Sequence, residues 1–539
     1  MSASNHSRSS TAVAQSDGKA TMVEEPMEDA ALSLYNNQPH DVTEMSRLGK
    51  RQEFKRNFGY LSTLGFVSIY MATWEYVLVS LSAGFSNGGL AGLFWTFLGT
   101  VICYATIVMS LAEMESMAPT SGGQYHWTSE FAPPRYQKFL SYASGWMSSL
   151  GWIASVSSGA FVVATLIQAM LDVLKVDFTF KNWQYTLVML AFLALCICFN
   201  SWGARTLPGL QTSSLFAHFI GWGLTIVAIV AACPKNNPKE VFVHVVSQSG
   251  WENVGVACLI SQVSVIYCNL GSDSIVHISE EVPNASIVVP RCMFWSYIFN
   301  TILGIAMLIA MLYGIGPLDA AIVADAPYIV LFANTGLIPL AFVLVFVLFI
   351  LIFIGNVTAL ATATREVWAF ARDKGFPRSR WIAHMDHEKN VPTNAVYLTS
   401  VLAGVLCFVN IGSTMAFEII VSLTLLGILS TYKLSIGCLI YRRLTDPGSL
   451  PPARWSLGRF GLPINIFAFL YSGFVMVFAC FPAEKPVTLG NANWAPLVWV
   501  GVIVVAGVAY GVHGQKHYTP PADFVLGRRK PGQGLQGVD

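Results

Sequence analysis

The sequence predicts an all-α integral membrane protein of about twelve transmembrane helices with both termini cytoplasmic. Three observations carry that prediction. Charged residues make up 11% of the 539 positions, less than half the roughly 25% of an average soluble domain. Hydrophobic residues make up 54%. Long stretches free of Asp, Glu, Lys and Arg recur along the chain at the ~20-residue length a bilayer-crossing helix needs. These features exclude a disordered chain, a disulfide-built secreted scaffold and an ordinary soluble enzyme. The net charge of +1 supplies no basic field for nucleic acid.

The elements follow in order. Residues 1–50 are polar and aperiodic and read as a disordered cytoplasmic tail, with no signal peptide ahead of the first apolar segment. A transporter-sized membrane domain over 51–515 holds spans at 58–83, 90–112, 139–171, 184–203, 210–233, 254–280, 292–314, 337–363, 394–411, 414–440, 463–482 and 494–513. Residues 516–539 form a second cytoplasmic tail. The runs are continuous rather than alternating, which favours helices over barrel strands. The eighth is the clearest, with 28 uncharged residues from Leu337 to Thr364. All ten cysteines lie within or at the ends of apolar segments without a CxxC pair, so they read as small packing residues.

Orientation follows from Lys and Arg. With the N-terminus inside, 23 of the 31 fall on inner flanks, including Lys50, Arg56, Arg365, Arg372, Arg442 and Arg528. Only five (Lys175, Lys181, Lys235, Lys239 and Lys485) fall on outer loops, and Arg8, Lys19 and Lys433 complete the set. On this topology the sequons at Asn5, Asn284 and Asn356 are cytoplasmic or intramembrane, and no N-glycan is expected at them.

Polar groups inside a span are costly and mark function. The first span carries Tyr70, Met71, Ala72, Thr73, Trp74, Glu75 and Tyr76, a carboxylate among aromatics. The sixth carries Asn269, Leu270, Gly271, Ser272 and Asp273, where glycine and small polar residues weaken the helix. Two interrupted helices, first and sixth of ten, point to a transporter of inverted repeats (58–233 and 254–440) with its substrate site between the breaks, and helices 463–513 peripheral. The competing reading makes Glu75 a snorkelling residue near the outer end of its span and Gly271 a packing glycine. Proton-handling candidates are Glu75, Asp273 and His277, the last being four residues beyond Asp273 and on the same helical face. His218 reads as a hydrogen-bonded interior histidine. The third span is rich in Gly, Ala and Ser, which suits close packing first and cavity lining second.

Two segments at the ends of the second and eighth spans are more specific. Residues 112–127 read AEMESMAPTSGGQYHW and residues 364–377 read TREVWAFARDKGFP. Both resemble the amino acid–polyamine–organocation permeases, specifically the fungal amino acid/choline branch with its GABA permeases and choline transporters. Residues 71–75 and 273–283 are similar to that branch too, and the resemblance covers about residues 50–520. It implies a leucine-transporter-type fold with five-plus-five inverted repeats and secondary transport by alternating access, usually proton-coupled. By position it places substrate against Tyr70, Ala72, Thr73, Trp74, Glu75, Asn269, Leu270, Gly271, Ser272 and Asp273. It places the cytoplasmic end of the pathway at Pro119, Thr120, Ser121, Gly122, Gly123 and Gln124, with Arg365, Arg372 and Asp373 in the second motif. Some proton-coupled members carry a lysine in the fifth helix; this chain has none there.

The expected function is a permease for a small amine or amino acid, such as GABA or choline, with H+ and the lipid bilayer as partners. No cofactor or metal is expected. The alternative is an exporter of a nitrogen-containing metabolite. A membrane-embedded enzyme is disfavoured by the absence of HExxH, GxSxG and Walker sequences. A receptor suits twelve spans with two breaks poorly. The expected location is the plasma membrane, with the vacuole or another endomembrane as the alternative.

Overall fold

The computed structural model describes residues 38–324, 326–412, 416–528 and 535–536. Asn5, Arg8 and Lys19 of the N-terminal tail, and Arg529 and Lys530 near the C-terminus, lie outside the described residues. The labelled helices are α1 (Pro39–Leu48), α2 (Tyr60–Met71), α3 (Thr73–Val79), α4 (Ser82–Met117), α5 (Gly123–Phe131), α6 (Gln137–Val173), α7 (Asn182–Ser201) and α8 (Leu207–Ala232). Then come α9 (Val254–Tyr267), α10 (Ala285–Gly314), α11 (Ile338–Arg372), α12 (Thr393–Cys407), α13 (Ala416–Thr445), α14 (Gly461–Phe478) and α15 (Ala495–Ala509). Short helical turns fill several connections.

Ten helical stretches among the described residues are long and apolar enough to cross a membrane. Two predicted spans are not among them, because both are broken. The first divides into α2 and α3 at Ala72, which takes a left-handed conformation (φ 41°, ψ 44°). The sixth ends as α9 at Tyr267 and resumes only as a 3-10 turn over Ser274–Glu281, so the expected helix to residue 280 is corrected. The two breaks open two consecutive sets of five helices. The second predicted span is also extended at both ends, with a kink at Gly89 (φ 63°).

The packing separates inner helices from outer ones. α6 lies along both α11 and α13, and glycine makes that approach possible. A Cβ on Gly151 would sit 2.9 Å from the Ile428 backbone, and one on Gly159 2.3 Å from the Asn356 side chain. In α13, 89% of the most apolar stretch is buried; in the segment beginning with α15 the figure is 11%. Large apolar side chains such as Ile102, Ile220, Leu470 and Val500 point outward, as the lipid-facing surface of a helical bundle requires. All ten cysteines are free.

Parts of both segments expected to be tails are folded. Residues 39–48 form α1, which buries Met45 and Leu48 and places the Asp41 carboxylate on the backbone N–H of Asn284 at 2.9 Å. The helix forms because its few apolar residues share one side, a spacing too brief to show as periodicity. At the other end the Tyr518 hydroxyl meets Ser141 Oγ at 2.6 Å, and the Leu526 N–H donates to the Arg47 carbonyl at 2.7 Å. The N- and C-terminal segments thus share one face of the bundle, hereafter the terminal face.

Candidate functional site

The two helix breaks meet. Gly271 adopts φ 94°, and a Cβ there would lie 1.8 Å from Tyr70 Cε1, so the ring of the first broken helix rests on the backbone of the second. Tyr70, Tyr76, Tyr267, Leu270, Ser155 and Asn356 line a cleft between them. The Tyr70 hydroxyl pairs with Ser155 at 2.6 Å and that of Tyr267 donates to Ser158 at 2.8 Å. The serines of α6 therefore do more than pack. Their hydroxyls fix the tyrosines while neighbouring glycines admit α11 and α13. The Tyr76 and Tyr267 rings cross edge-to-face at 5.2 Å. The cavity is about 20 Å³, room for about one water.

Beyond Tyr267, on the side away from the terminal face, a second cavity of about 50 Å³ is lined by Ser80, Ser264, Phe417 and Glu418 and reaches Ala483 and Asn491. On the terminal side the path is blocked. Both oxygens of Asp273 are held, one by Gln124 Nε2 at 2.5 Å and one by the Tyr432 hydroxyl at 2.5 Å. Below this, Glu280 receives a bidentate Arg372 guanidinium at 2.7 and 2.9 Å and the Ser121 N–H at 3.2 Å. Thr120 lies 3.3 Å from the same carboxylate. Arg365 pairs with Glu281 at 2.9 Å. Lys50 reaches Asp373 at 2.5 Å and Gln536 at 2.7 Å, and Tyr125 donates to the other Asp373 oxygen at 3.0 Å. Burial pushes the Lys50 ammonium down to about 8, against the upward pull of Asp373.

The two motifs thus face each other across the 3-10 turn. Residues 119–124 enter through a tight turn whose Gly123 (φ 50°) lets Val276 and His277 approach: a Cβ there would meet them at 3.0 and 3.2 Å. Pro119 starts the turn and Gly122 lies under the Tyr125 ring. His277 contacts the Ser121 carbonyl through Nδ1 at 3.0 Å, so it serves this turn. Asn269 donates back to the Val265 carbonyl and closes the end of α9, while Ser272 is buried beside it. Thr73 packs on Gly304 of α10.

Trp74 and Glu75 do not line the cleft. The left-handed turn at Ala72 rotates them toward α8, where Glu75 Oε1 lies 2.7 Å from His218 Nδ1 and Trp74 Nε1 lies 3.2 Å from the same nitrogen. All three side chains are fully buried. Sequence reasoning missed Tyr267, Ser155 and Asn356 as cleft residues and His218 as the partner of Glu75. For Tyr267 a signal existed, an aromatic within one turn of the break. Lys433 sends its ammonium to the Phe469 carbonyl at 3.0 Å and over that ring.

Two broken helices around a central cleft, inside a bundle with an apolar exterior, define the class: a multi-pass membrane transporter. The amino acid permease family matches residues 58–505, and the chain belongs to that family. It is 29% identical to an uncharacterised amino-acid permease of Schizosaccharomyces pombe over 89% of each chain. It is 26% identical to a choline transporter of Saccharomyces cerevisiae, over 86% of this chain and 82% of that one. It is 27% identical to a GABA-specific permease of the same yeast, over 92% and 87%.

Proposed function

We propose that the protein is a secondary active transporter of a small nitrogenous solute, an amino acid, GABA or choline, working by alternating access with H+ as the coupling ion. The observation that carries this reading is the meeting of three tyrosines, Tyr70, Tyr76 and Tyr267, at the point where both helices break. An aromatic ring attracts an ammonium through its face, by about 0.5–2 kcal/mol depending on desolvation. A substrate cation can therefore be held without a carboxylate in the cleft. The choline and GABA relatives support a substrate of this class. The collection of predicted inner-flank cations at one face supports cytoplasmic termini and a state closed toward the cytoplasm. The plasma membrane is the proposed location.

The test is time-resolved uptake of labelled choline, GABA and a panel of neutral and basic amino acids, in cells lacking their own GABA and choline permeases. Saturable uptake of one compound, with a KM raised about tenfold by Tyr267→Leu, is the expected result. Surface-expressed protein that takes up none of them would overturn import of this substrate class and leave export to be assayed from preloaded vesicles.

A further inference from the structure

Of the ionisable groups beside the two breaks, one pair is built differently from the rest. Asp273 has both oxygens engaged, and His277 is tied to the Ser121 carbonyl. Glu75 has one oxygen on His218 Nδ1, while its Oε2 and His218 Nε2 have no partner among the described residues. The Trp74 N–H points at that same Nδ1.

The geometry counts protons. An imidazole nitrogen carries either one hydrogen or one in-plane lone pair. If both Glu75 and Nδ1 were bare, a carboxylate oxygen and a lone pair would oppose each other at 2.7 Å. One proton must lie between them. Because the Trp74 N–H also faces Nδ1, that nitrogen is an acceptor, so the ring's own hydrogen sits on Nε2 and the proton between them is the one Glu75 carries. While it is there, Glu75 is tied to α8 and the Trp74 N–H competes for an occupied nitrogen. When it leaves, Nδ1 is free to accept from Trp74, and Glu75 is left as an unpaired carboxylate that membrane burial makes costly. Proton loss thus exchanges the partner of Nδ1 from Glu75 to Trp74. These two residues are consecutive in α3, directly after the Ala72 break.

We propose that Glu75 and His218 share one exchangeable proton and form the coupling site of the transporter, and that Trp74 converts its loss into a rotation of α3. This rests on the transport reading above and names the site at which its coupling ion acts. The balance is simple: one proton passes from the Glu75–His218 pair to water, no covalent bond is otherwise made or broken, and Glu75 takes the negative charge. Among the described residues, the elements packed on α3 and α8 offer Glu75 and His218 no competing salt bridge. Tyr76 adjoins Glu75. In α11, Arg365 is paired with Glu281, Arg372 with Glu280, and Glu366 accepts from Ser149, all at the terminal end. Arg291 of α10 is exposed near the terminal end of that helix.

Two measurements on the full-length protein test the proposal. The first, infrared difference spectroscopy of purified protein across a pH titration, needs no substrate. A pH-dependent protonated-carboxyl band should be present in the wild type, vanish in Glu75→Gln, and change in its pH dependence in His218→Gln. The second is the pH dependence of uptake for whichever of choline, GABA or the amino acids is transported. Glu75→Gln should flatten it, and Trp74→Phe, which keeps a ring but removes the N–H, should weaken it at least about fivefold in rate while leaving the carboxyl band in place. A band unchanged in Glu75→Gln, or Glu75→Gln protein with wild-type pH dependence, overturns the proposal. Should Glu75→Gln not fold, an unshifted band in His218→Gln overturns it equally. Failure of all uptake with the titrating band intact would instead count against the substrate reading alone.

Discussion

Each broken helix carries a carboxylate close to its break, and the two are treated in opposite ways. Asp273, on the terminal side, has one donor for each oxygen. Glu75, on the other broken helix, shares a single ring nitrogen with its own neighbour Trp74 and leaves one oxygen without a partner among the described residues. A buried charge with a donor on each oxygen acts as a fastener, because removing any partner strands the others. A buried acid with spare capacity can change state at lower cost. The terminal side is therefore the fixed part of this conformation and the α3–α8 contact is the adjustable part.

That contrast can be broken or sharpened by substitution. The largest effect belongs to Arg372→Ala, which strands Glu280 in the interior. It should cost about 3–5 kcal/mol of stability, seen as a large fall in the thermal unfolding midpoint in detergent. Gly271→Ala comes next, at about 2–4 kcal/mol. The left-handed backbone and the overlap with Tyr70 add, and transport should be lost, whereas Gly209→Ala, in open space, should leave the midpoint unchanged. Asp273→Asn should cost about 1.5–3 kcal/mol, since an amide nitrogen would face a donor, and should raise labelling of a cysteine placed at Ser272 from the terminal face. Glu75→Gln should cost less than about 1 kcal/mol while changing transport; a loss as large as that of Asp273→Asn would remove the distinction between the two sites.

The smallest effect is a pH dependence at the terminal face. Lys50 docks with its ammonium lowered from 10.5 to about 8. Between those values the undocked segment holds a proton that the docked one does not, so docking strengthens as pH rises through that window and is weakest below it. Hydrogen exchange over residues 518–528, corrected for intrinsic rates, should slow between pH 7.5 and 9.5 in the wild type and not in Lys50→Met.

Much of this was legible in the chain. Uncharged runs located the spans because a bilayer leaves backbone groups no partner but the helix itself. Gly271 and its polar neighbours marked one break, and Pro119 to Gln124 marked the turn that meets the 3-10 segment. The other break centres on Ala72, an alanine in a conformation that alanine seldom adopts, so no residue preference showed which way Trp74 and Glu75 would turn. The contact with His218 joins positions 143 apart, and the Lys50–Asp373 pair joins positions 323 apart. Neither leaves a periodic trace. The docked tails escaped for a related reason: α1 hides only a few apolar side chains, and Asp41 and Arg47 hold it through polar contacts.

The bond between Lys50 and Gln536 spans 486 positions. Lys50 emerges from the ribosome before any of the membrane helices, and Gln536 only after all of them. At about 5–20 residues per second, that interval is roughly 25–100 s. Throughout it the Lys50 ammonium lacks one partner still to be synthesised, and Asp373, its other partner, follows it by 323 positions. Closure of the terminal face is therefore a late event in biogenesis, and a chain arrested before residue 536 would present an unfinished face to the machinery that inspects new membrane proteins.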